Sequence, residues 1–271
     1  MKPFIILQGM FLIVFTFSAC EKVIEFDLAD SKEAIVIEAI INNNQLPITV
    51  RVSKTTPYFG ATSNPVSGAK VSARSEKGTA KYLIETMPGT YELDKTMAVP
   101  GFWYYIDVEY DNITYSARSF LNEPVHIEDV GFSYFNGFGI IESGYEVNTY
   151  ITDPENIENY YRLKYYVNGK PIIGLGGSTI YSDHLFNGEP IGLGQRSIVF
   201  QETDTVTIEL QSIDKSAYDY FSTLENISGT NILQSASPAN PISNFNNGAL
   251  GYFSAYSFDR KTLIIKDYIK K

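Results

Sequence analysis

The stretch from Phe102 to Arg118 is the feature that most narrows the folds open to this chain. Two segments, FWYYIDVEY and ITYSAR, alternate apolar with polar residues and flank the dipeptide Asp111-Asn112. Alternation with a period of two is typical of half-buried strands, and a short polar turn between two such strands predicts an antiparallel hairpin. Comparable turn signals recur about every ten residues in the first half of the chain, which indicates a β-sandwich.

The composition agrees with a β-rich fold. Aromatic residues make up 14% of the 271 residues and charged residues only 19%, a balance that favours strands, where large rings fit a half-buried pleat. The hydrophobic share of 44% is enough for a packed core and argues against disorder. The net charge is −10. Because an acidic surface repels phosphate backbones, we expect no nucleic-acid partner.

The tripeptide Asn122-Glu123-Pro124 interrupts the strand pattern and is the predicted domain boundary. We expect an all-β protein, with an N-terminal immunoglobulin-like β-sandwich over residues 20–122 and a second β-rich domain over residues 123–271. The strands predicted in the second domain include Tyr145–Thr152, Tyr160–Val167, Thr205–Gln211 and two closing strands, Ala249–Ser257 and Thr262–Ile269.

One helix is predicted in the second domain, over residues 214–227. Asp214 is a suitable N-cap, because its carboxylate can accept hydrogen bonds from the first free N–H groups of the helix. Ala217, Phe221 and Leu224 recur on one face, which we expect to pack against the sheet.

Two long segments of the second domain are predicted to form the functional surface. Lys170 to Gln195 is dense in glycine and lacks a regular pattern, so it is either a functional loop or holds short elements of its own. Ser228 to Asn247 is rich in Asn, Ser and Pro. Binding residues concentrate on loops of this kind when a rigid sheet holds them. The alternative is that both are tolerated surface insertions.

The N-terminus has the features of a secretory signal over residues 1–19. A charged start is followed by an apolar run from Phe4 to Phe17 and by small residues ahead of Cys20. The sequence Phe17-Ser18-Ala19-Cys20 resembles a bacterial lipobox, although phenylalanine stands where that pattern has leucine. We therefore expect Cys20 to be lipidated and to anchor the protein to a membrane surface.

Two alternatives for this N-terminal segment are weaker. The apolar run is too short for an uncleaved anchor, which needs about 20 apolar residues. An ordinary signal peptide would leave Cys20 as an unpaired thiol in an oxidising compartment.

The sequence contains no recognisable catalytic set. The two histidines, His126 and His184, are far apart and have no neighbouring ligand motif, and the single cysteine is assigned to the lipid. The glycine motifs that begin at Gly174 and Gly192 do not lie between a strand and a helix, so they do not predict a phosphate loop. We expect no catalytic residue, no metal site, no cofactor and no enzymatic activity.

Four residues are candidates for ligand or partner contact: Tyr160, Tyr165, Tyr181 and His184. The paired tyrosines of the predicted strand at 160–167 point to both of its faces, so one of each pair can be exposed. Tyr181 and His184 lie in the glycine-rich segment. Core packing is the alternative for these tyrosines. For Trp103, core and sheet packing is the favoured interpretation, and a platform for a ligand is the alternative. The alternative for His184 is a solvent-exposed loop residue.

Several segments resemble a family of Bacteroidota lipoproteins known as domain of unknown function 4249. They are CEKVI from Cys20, PVSGAKV from Pro65, ENYYRLKYYVNG from Glu158, TVTIELQSIDKSAYDYFSTLE from Thr205 and NPISNFNNGALGYFSAYS from Asn240. The resemblance implies an immunoglobulin-like sandwich followed by a second β-rich domain. It also implies that the gene for this protein lies beside a gene for an outer-membrane TonB-dependent receptor, as is common in the family. It supplies no activity and no site residue other than the lipidated Cys20.

These observations lead to an expected function with open alternatives. We expect a lipoprotein of the outer membrane, exposed on the cell surface, that captures a ligand for a TonB-dependent nutrient transporter or forms its lid. The ligand would be a small molecule, a glycan or a peptide. The alternatives are a surface hydrolase that uses carboxylates alone, as glycosidases do, and a structural envelope protein.

Overall fold

The computed structural model describes residues 33–44, 47–56, 64–94, 98–139, 142–174, 177–228 and 240–269. The predicted signal peptide, Cys20 and most of the Ser228 to Asn247 segment lie outside these ranges. The strands of the first half are β1 Ile35–Asn42, β2 Ile48–Lys54, β3 Asn64–Pro65, β4 Lys70–Ser75, β5 Lys81–Tyr82, β6 Ile84–Met87, β7 Thr90–Leu93, β8 Phe102–Tyr110 and β9 Ile113–Leu121.

The second half contains the remaining strands and the helix. They are β10 Asp129–Phe135, β11 Gly144–Thr152, β12 Tyr160–Val167, β13 Lys170–Pro171, β14 Ser178–Ser182, β15 Pro190–Phe200, β16 Thr205–Ile213, α1 Lys215–Ser228 and β17 Leu250–Ile264. Short 3-10 helices occupy Asp183–Leu185 and Ile265–Asp267. The fold is therefore predominantly β, as predicted.

The first half forms an immunoglobulin-like β-sandwich. One sheet contains the order β1-β2-β7-β6 and the other contains β5-β4-β8-β9, and the inward residues of both sheets form one core. The hydroxyl of Tyr104, near the start of β8, donates to the carbonyl of Val99 at 3.1 Å and accepts from the Val99 N–H at 2.7 Å. The same distribution of strands and the same tyrosine corner characterise immunoglobulin-like sandwiches.

The predicted hairpin between β8 and β9 is confirmed, including its turn. Asp111 and Asn112 have φ angles of 51° and 60°, and strand pairing runs without interruption from Tyr110 opposite Ile113 to Phe102 opposite Leu121. Positive φ at both central residues is the requirement of a type I′ turn, and Asn and Asp tolerate it better than most residues.

The last strand, β17, connects the two halves of the molecule. Its residues 250–256 pair in parallel with β1, and its residues 257–264 pair antiparallel with β16. One sheet therefore runs β13-β12-β16-β17-β1-β2-β7-β6, with β3 and β14 attached to it. Phe253 and Ala255 belong to the core of the sandwich. The sequence predicted two closing strands here, whereas the structure has one continuous strand.

The second half has its own core. The sheet β10-β11-β15 packs against the inner face of β12 and β16, and buries residues such as Ile151, Leu163, Tyr165 and Phe200. Helix α1 covers part of the opposite face, where Ala217 and Phe221 are buried with Ile213. Leu224 was predicted to lie on the buried face of the helix, but it is 37% exposed. The buried face of α1 therefore includes Ala217 and Phe221 but not Leu224.

The segment around the predicted boundary is bonded to the second half of the chain. The Asn122 side chain donates to the Ile213 carbonyl at 2.8 Å, and the Val125 N–H donates to the Ser212 hydroxyl at 3.2 Å. The described residues 33–269 lie in one compact unit. The division into domains at residue 122 stays a prediction.

The glycine-rich segment from Lys170 to Gln195 is not a structureless loop. It contains β13, β14, a 3-10 helix and the first half of β15. Sequence patterning missed these elements because they are short and follow glycine-containing turns, with positive φ at Gly169, Gly174 and Gly188. Of the helices in the described residues, none combines the length and the hydrophobicity that a bilayer span requires.

Candidate functional site: a cleft between the sandwich and the helix

A cleft of about 480 Å³ lies where the outer face of β8 and β9 meets the start of β12 and the N-terminus of α1. We call it the junction cleft. The sandwich contributes Trp103, Arg118, Phe120 and Asn122, and the second half contributes Glu158, Tyr160, Asp214, Lys215, Ser216, Asp219 and Asn244. Its volume falls within the range of small-molecule sites.

The sandwich wall of the cleft is aromatic and cationic. Trp103 and Phe120 are direct partners across β8 and β9, and their rings meet edge to face with centroids 5.4 Å apart. The Arg118 guanidinium lies 4.5 Å from the Trp103 ring. Alternation along each strand places these side chains opposite the buried residues Tyr104 and Ser119. The wall is thus a sheet surface that the sandwich does not need for its own core.

Tyr160 forms part of the opposite wall. Its ring packs on Tyr218 of the helix, with centroids 4.8 Å apart. Burial raises the pKa of Tyr160 to about 12, and the neighbouring Glu158 carboxylate adds to the shift. The phenol therefore stays protonated at neutral pH and can donate a hydrogen bond.

Asp214 connects the two walls. Its Oδ1 accepts the Ala217 N–H at 3.0 Å as the predicted N-cap of α1, and its Oδ2 accepts the Phe120 N–H of β9 at 3.1 Å. The Ser216 hydroxyl donates to the same carboxylate. Burial raises the pKa of Asp214, and these hydrogen bonds oppose that shift. Asp214 therefore holds the sandwich and the helix at a fixed separation.

The other charged and amide groups of the cleft are also held by neighbours. Lys215 and Asp219 form an ion pair at 2.8 Å along the helix. The Asn244 amide donates to the Ser216 hydroxyl at 3.0 Å, and its carbonyl accepts the Phe253 N–H at 2.8 Å. The cleft thus combines three aromatic rings with polar groups of both charges in fixed positions.

The residues predicted as contact sites lie in different environments. Tyr160 lines the junction cleft, whereas Tyr165 is 1% exposed and packs in the second core beside Phe200. Tyr181 is half-buried and donates to the Gly194 carbonyl at 2.7 Å. His184 is exposed in the 3-10 helix. The structure therefore does not gather the four into one site, and their binding roles stay predictions.

Sequence reasoning missed Trp103, Arg118 and Phe120 as cleft residues. The sequence favours packing for Trp103, because an aromatic strand residue is usually part of a core. The available signal was the strand period, which places Trp103 and Arg118 on the face away from the alternating apolar core residues. Within the described ranges, no three His, Cys, Asp or Glu residues are grouped as a metal site would require.

A two-domain fibronectin type III segment of chicken tenascin is one solved structure with similarity to this chain. The identity is 14%, the match covers 66% of this chain and 90% of the tenascin segment, and the TM-score is 0.21. No curated protein matches the chain. Residues 21–262 match the family described as Domain of unknown function (DUF4249). That match covers nearly the whole sequence, and the chain belongs to this family.

Proposed function

We propose that this protein captures a polar ligand in the junction cleft while anchored to the outer membrane through Cys20. In this proposal it is an accessory component of a TonB-dependent nutrient transporter. The observation that carries the capture role is the rigid cleft, which presents Trp103, Phe120 and Tyr160 beside charged and amide groups. Pockets with apolar walls and a few fixed polar groups are the usual form of small-molecule sites.

The carboxylates of the cleft favour binding over hydrolysis. A glycosidase needs one carboxylic acid and one carboxylate that are free to act on the same bond. Asp214 accepts hydrogen bonds from two backbone N–H groups and from Ser216, and Asp219 is paired with Lys215. The Glu158 carboxylate lies beside the Tyr160 phenol and helps to raise the pKa of that phenol. Asp214 and Asp219 thus already have structural partners, and two carboxylates free to act on one bond are not left.

The chemistry of the walls favours a ligand with a flat face and polar edges. A sugar ring or a short peptide offers C–H or amide surface that can stack on Trp103 and Phe120. Hydroxyl or amide groups at its edges can meet Arg118, Lys215 and Asn244. The mixed charges select against a strongly charged ligand of either sign, because each sign would face a like charge in the cleft.

Trp103 provides a direct readout of ligand capture. It is the only tryptophan of the chain and lines the cleft, so its fluorescence reports on that site alone. The full protein in a non-ionic detergent should show saturable changes in Trp103 emission with one group of a panel of oligosaccharides and short peptides. Arg118→Gln should weaken that binding by roughly threefold to tenfold.

The matched control is Arg74→Gln, which removes a similar arginine that stacks on Tyr105 at 3.8 Å outside the junction cleft. Its affinity should equal that of the unaltered protein. If no member of the panel changes the emission, or if both arginine variants weaken binding equally, the junction cleft is not the capture site.

The transporter partnership requires a separate experiment. A pull-down from native membranes with the tagged protein should recover a TonB-dependent receptor, and Trp103→Ala should reduce growth on the transported nutrient. Tyr82→Ala is the control, since Tyr82 is 59% exposed and lies outside the cleft. Absence of a receptor from the recovered proteins would contradict the partnership. It would not bear on ligand capture, which the fluorescence experiment tests separately.

A further inference from the structure

A second cavity, of about 340 Å³, lies at one pole of the sandwich, away from the junction cleft. We call it the polar-end cavity, a name that refers to its place at the pole of the sandwich and not to the polarity of its walls. It is formed where β2 and β8 begin and where β4 and β7 end, together with the turn that joins β4 to β5. Among the described residues, none lines both this cavity and the junction cleft.

The rim of the polar-end cavity is cationic. Arg74, Lys77 and Lys81 line it, together with the hydroxyl residues Ser75 and Thr79, and no described carboxylate does. This is notable in a chain whose net charge is −10. None of the three cations forms an ion pair with another described residue; the described pairs involve three other lysines, a histidine and one other arginine.

Two of these cations are positioned by aromatic rings. The Lys77 ammonium lies 4.4 Å from the centroid of Phe102, and the Arg74 guanidinium lies 3.8 Å from that of Tyr105. A cation over the face of a ring is attracted by the ring quadrupole, which favours a defined position over free motion in solvent. These two positive groups therefore have defined positions, and no described carboxylate forms an ion pair with either of them.

The interior of the cavity is apolar. Its walls include Ile48, Leu93, Phe102 and Tyr104, and they are joined by Val99, which is 48% exposed. The Tyr104 hydroxyl is already satisfied by the Val99 backbone, so it presents its ring to the cavity rather than an unpaired polar group. A ligand would therefore meet aliphatic and aromatic surface inside and positive charge at the entrance.

We propose that the polar-end cavity binds a small organic anion with an apolar body, such as an aryl or short-chain carboxylate. The apolar body occupies the interior against Phe102 and Leu93, and the carboxylate lies at the rim between Lys77 and Lys81. Both parts are required, because the rim supplies all the charged side chains among the described residues that line the cavity. This inference concerns a different cavity from the proposed function and does not depend on it.

The probe that tests the charge requirement is 3-phenylpropanoate, compared with 3-phenylpropylammonium, which has a similar ring and chain and the opposite charge. Calorimetric titration of the full protein in a non-ionic detergent, with titration into detergent alone as the baseline, should detect the carboxylate and not the ammonium compound. Absence of carboxylate binding, or equal binding of the two compounds, would overturn the proposal.

The location is tested with surface variants that are expected to fold normally. The double variant Lys77→Gln/Lys81→Gln should weaken 3-phenylpropanoate binding by roughly threefold to tenfold. The control Lys70→Gln/Lys261→Gln removes the same charge from residues that do not line the cavity, and it should bind as the unaltered protein does.

A second control separates the two cavities. Arg118→Gln alters the junction cleft and leaves the polar-end cavity intact, so 3-phenylpropanoate affinity should not change. Weaker binding in Arg118→Gln together with normal binding in Lys77→Gln/Lys81→Gln would place the anion in the junction cleft and refute this inference.

Discussion

Asp214 and Phe120 are joined by a hydrogen bond of 3.1 Å from the backbone N–H of Phe120 in β9 to Oδ2 of Asp214, the N-cap of α1. The same carboxylate caps the helix through the Ala217 N–H. A single buried side chain thus fixes the end of a helix and the edge of the sandwich together. This arrangement sets the width of the junction cleft, because Phe120 and the first turn of α1 are its two sides.

Replacing Asp214 with alanine should destabilise the protein by about 2–4 kcal/mol, because an N-cap is lost and the Phe120 N–H loses its acceptor. Asp214→Asn keeps one side-chain oxygen and should cost about half as much. Urea unfolding measures both values. The control is Asp219→Ala, which removes a surface pair with Lys215 worth ~0.3–0.5 kcal/mol. Equal losses for Asp214→Ala and Asp219→Ala would contradict the connecting role.

Gly251→Ala should disrupt the pairing of β17 with β1. Gly251 has a φ of +92°, and a Cβ there would lie 2.1 Å from the Ile37 carbonyl oxygen, which belongs to the paired strand. We expect the free energy of unfolding to fall by at least about 3 kcal/mol, or the variant to fail to fold, because the backbone of β1 cannot move aside as a flexible side chain can. Thermal unfolding provides the measurement.

Gly248→Ala is the matched control for this steric argument. Gly248 also has a positive φ, of +76°, but nothing lies within 4 Å of its Cβ position. Gly248→Ala should lower the free energy of unfolding by only about 1 kcal/mol, which is the cost of backbone strain. A Gly251→Ala variant as stable as Gly248→Ala would show that the close approach of β1 is not limiting.

The features that sequence analysis predicted correctly are local ones. The turn at Asp111-Asn112 and the N-cap at Asp214 depend on the chemistry of residues next to each other in the chain. Strand periodicity likewise located β8 and β12 with their correct bounds.

The features that were missed depend on distant parts of the chain. The first half of β17 pairs with β1, whose residues lie near the start of the described chain, and no local pattern specifies that partner. The junction cleft brings Trp103 and Arg118 beside Tyr160 and Lys215. Each of these residues has an ordinary local pattern, and only the packing of α1 beside the sandwich makes them neighbours.

The predicted lipid anchor at Cys20 can be tested directly. Cys20→Ser should leave an unlipidated precursor and abolish labelling by a palmitate analogue, since Cys20 is the only cysteine of the chain. The fraction of protein in the membrane pellet should fall at the same time. Labelling that persists in the Cys20→Ser variant would rule out lipidation at this residue.

The ion pair between Glu209 and Arg260 should stabilise the sheet formed by β12, β16 and β17. Glu209 is 1% exposed, and its carboxylate accepts the Arg260 Nε–H at 2.7 Å and the Tyr166 hydroxyl at 3.3 Å. Arg260→Met would leave that buried charge without its cation. Because the Arg260 side chain is 48% exposed, we expect this change to lower the free energy of unfolding by about 1–3 kcal/mol. Breaking a fully buried pair would lower it by more.

A double-mutant cycle separates the ion pair from the packing of the arginine. Adding Glu209→Gln to Arg260→Met removes the isolated charge and should restore part of the lost stability. Urea unfolding of the four proteins gives the coupling energy. Strict additivity of the two single changes would mean that the pair makes no contribution of its own.

The buried tyrosines should make the protein lose stability above pH 10. Burial raises the pKa of Tyr160 and of Tyr220 to about 12, from an ordinary value of 10.0. Between pH 10 and 12 the unfolded chain therefore binds fewer protons than the native state, and the free energy of unfolding falls as pH rises. Urea unfolding over that range measures the slope, and Tyr160→Phe/Tyr220→Phe should make it shallower by removing two of the groups. A slope that is the same in the double variant would show that these two phenols ionise without any cost to the fold.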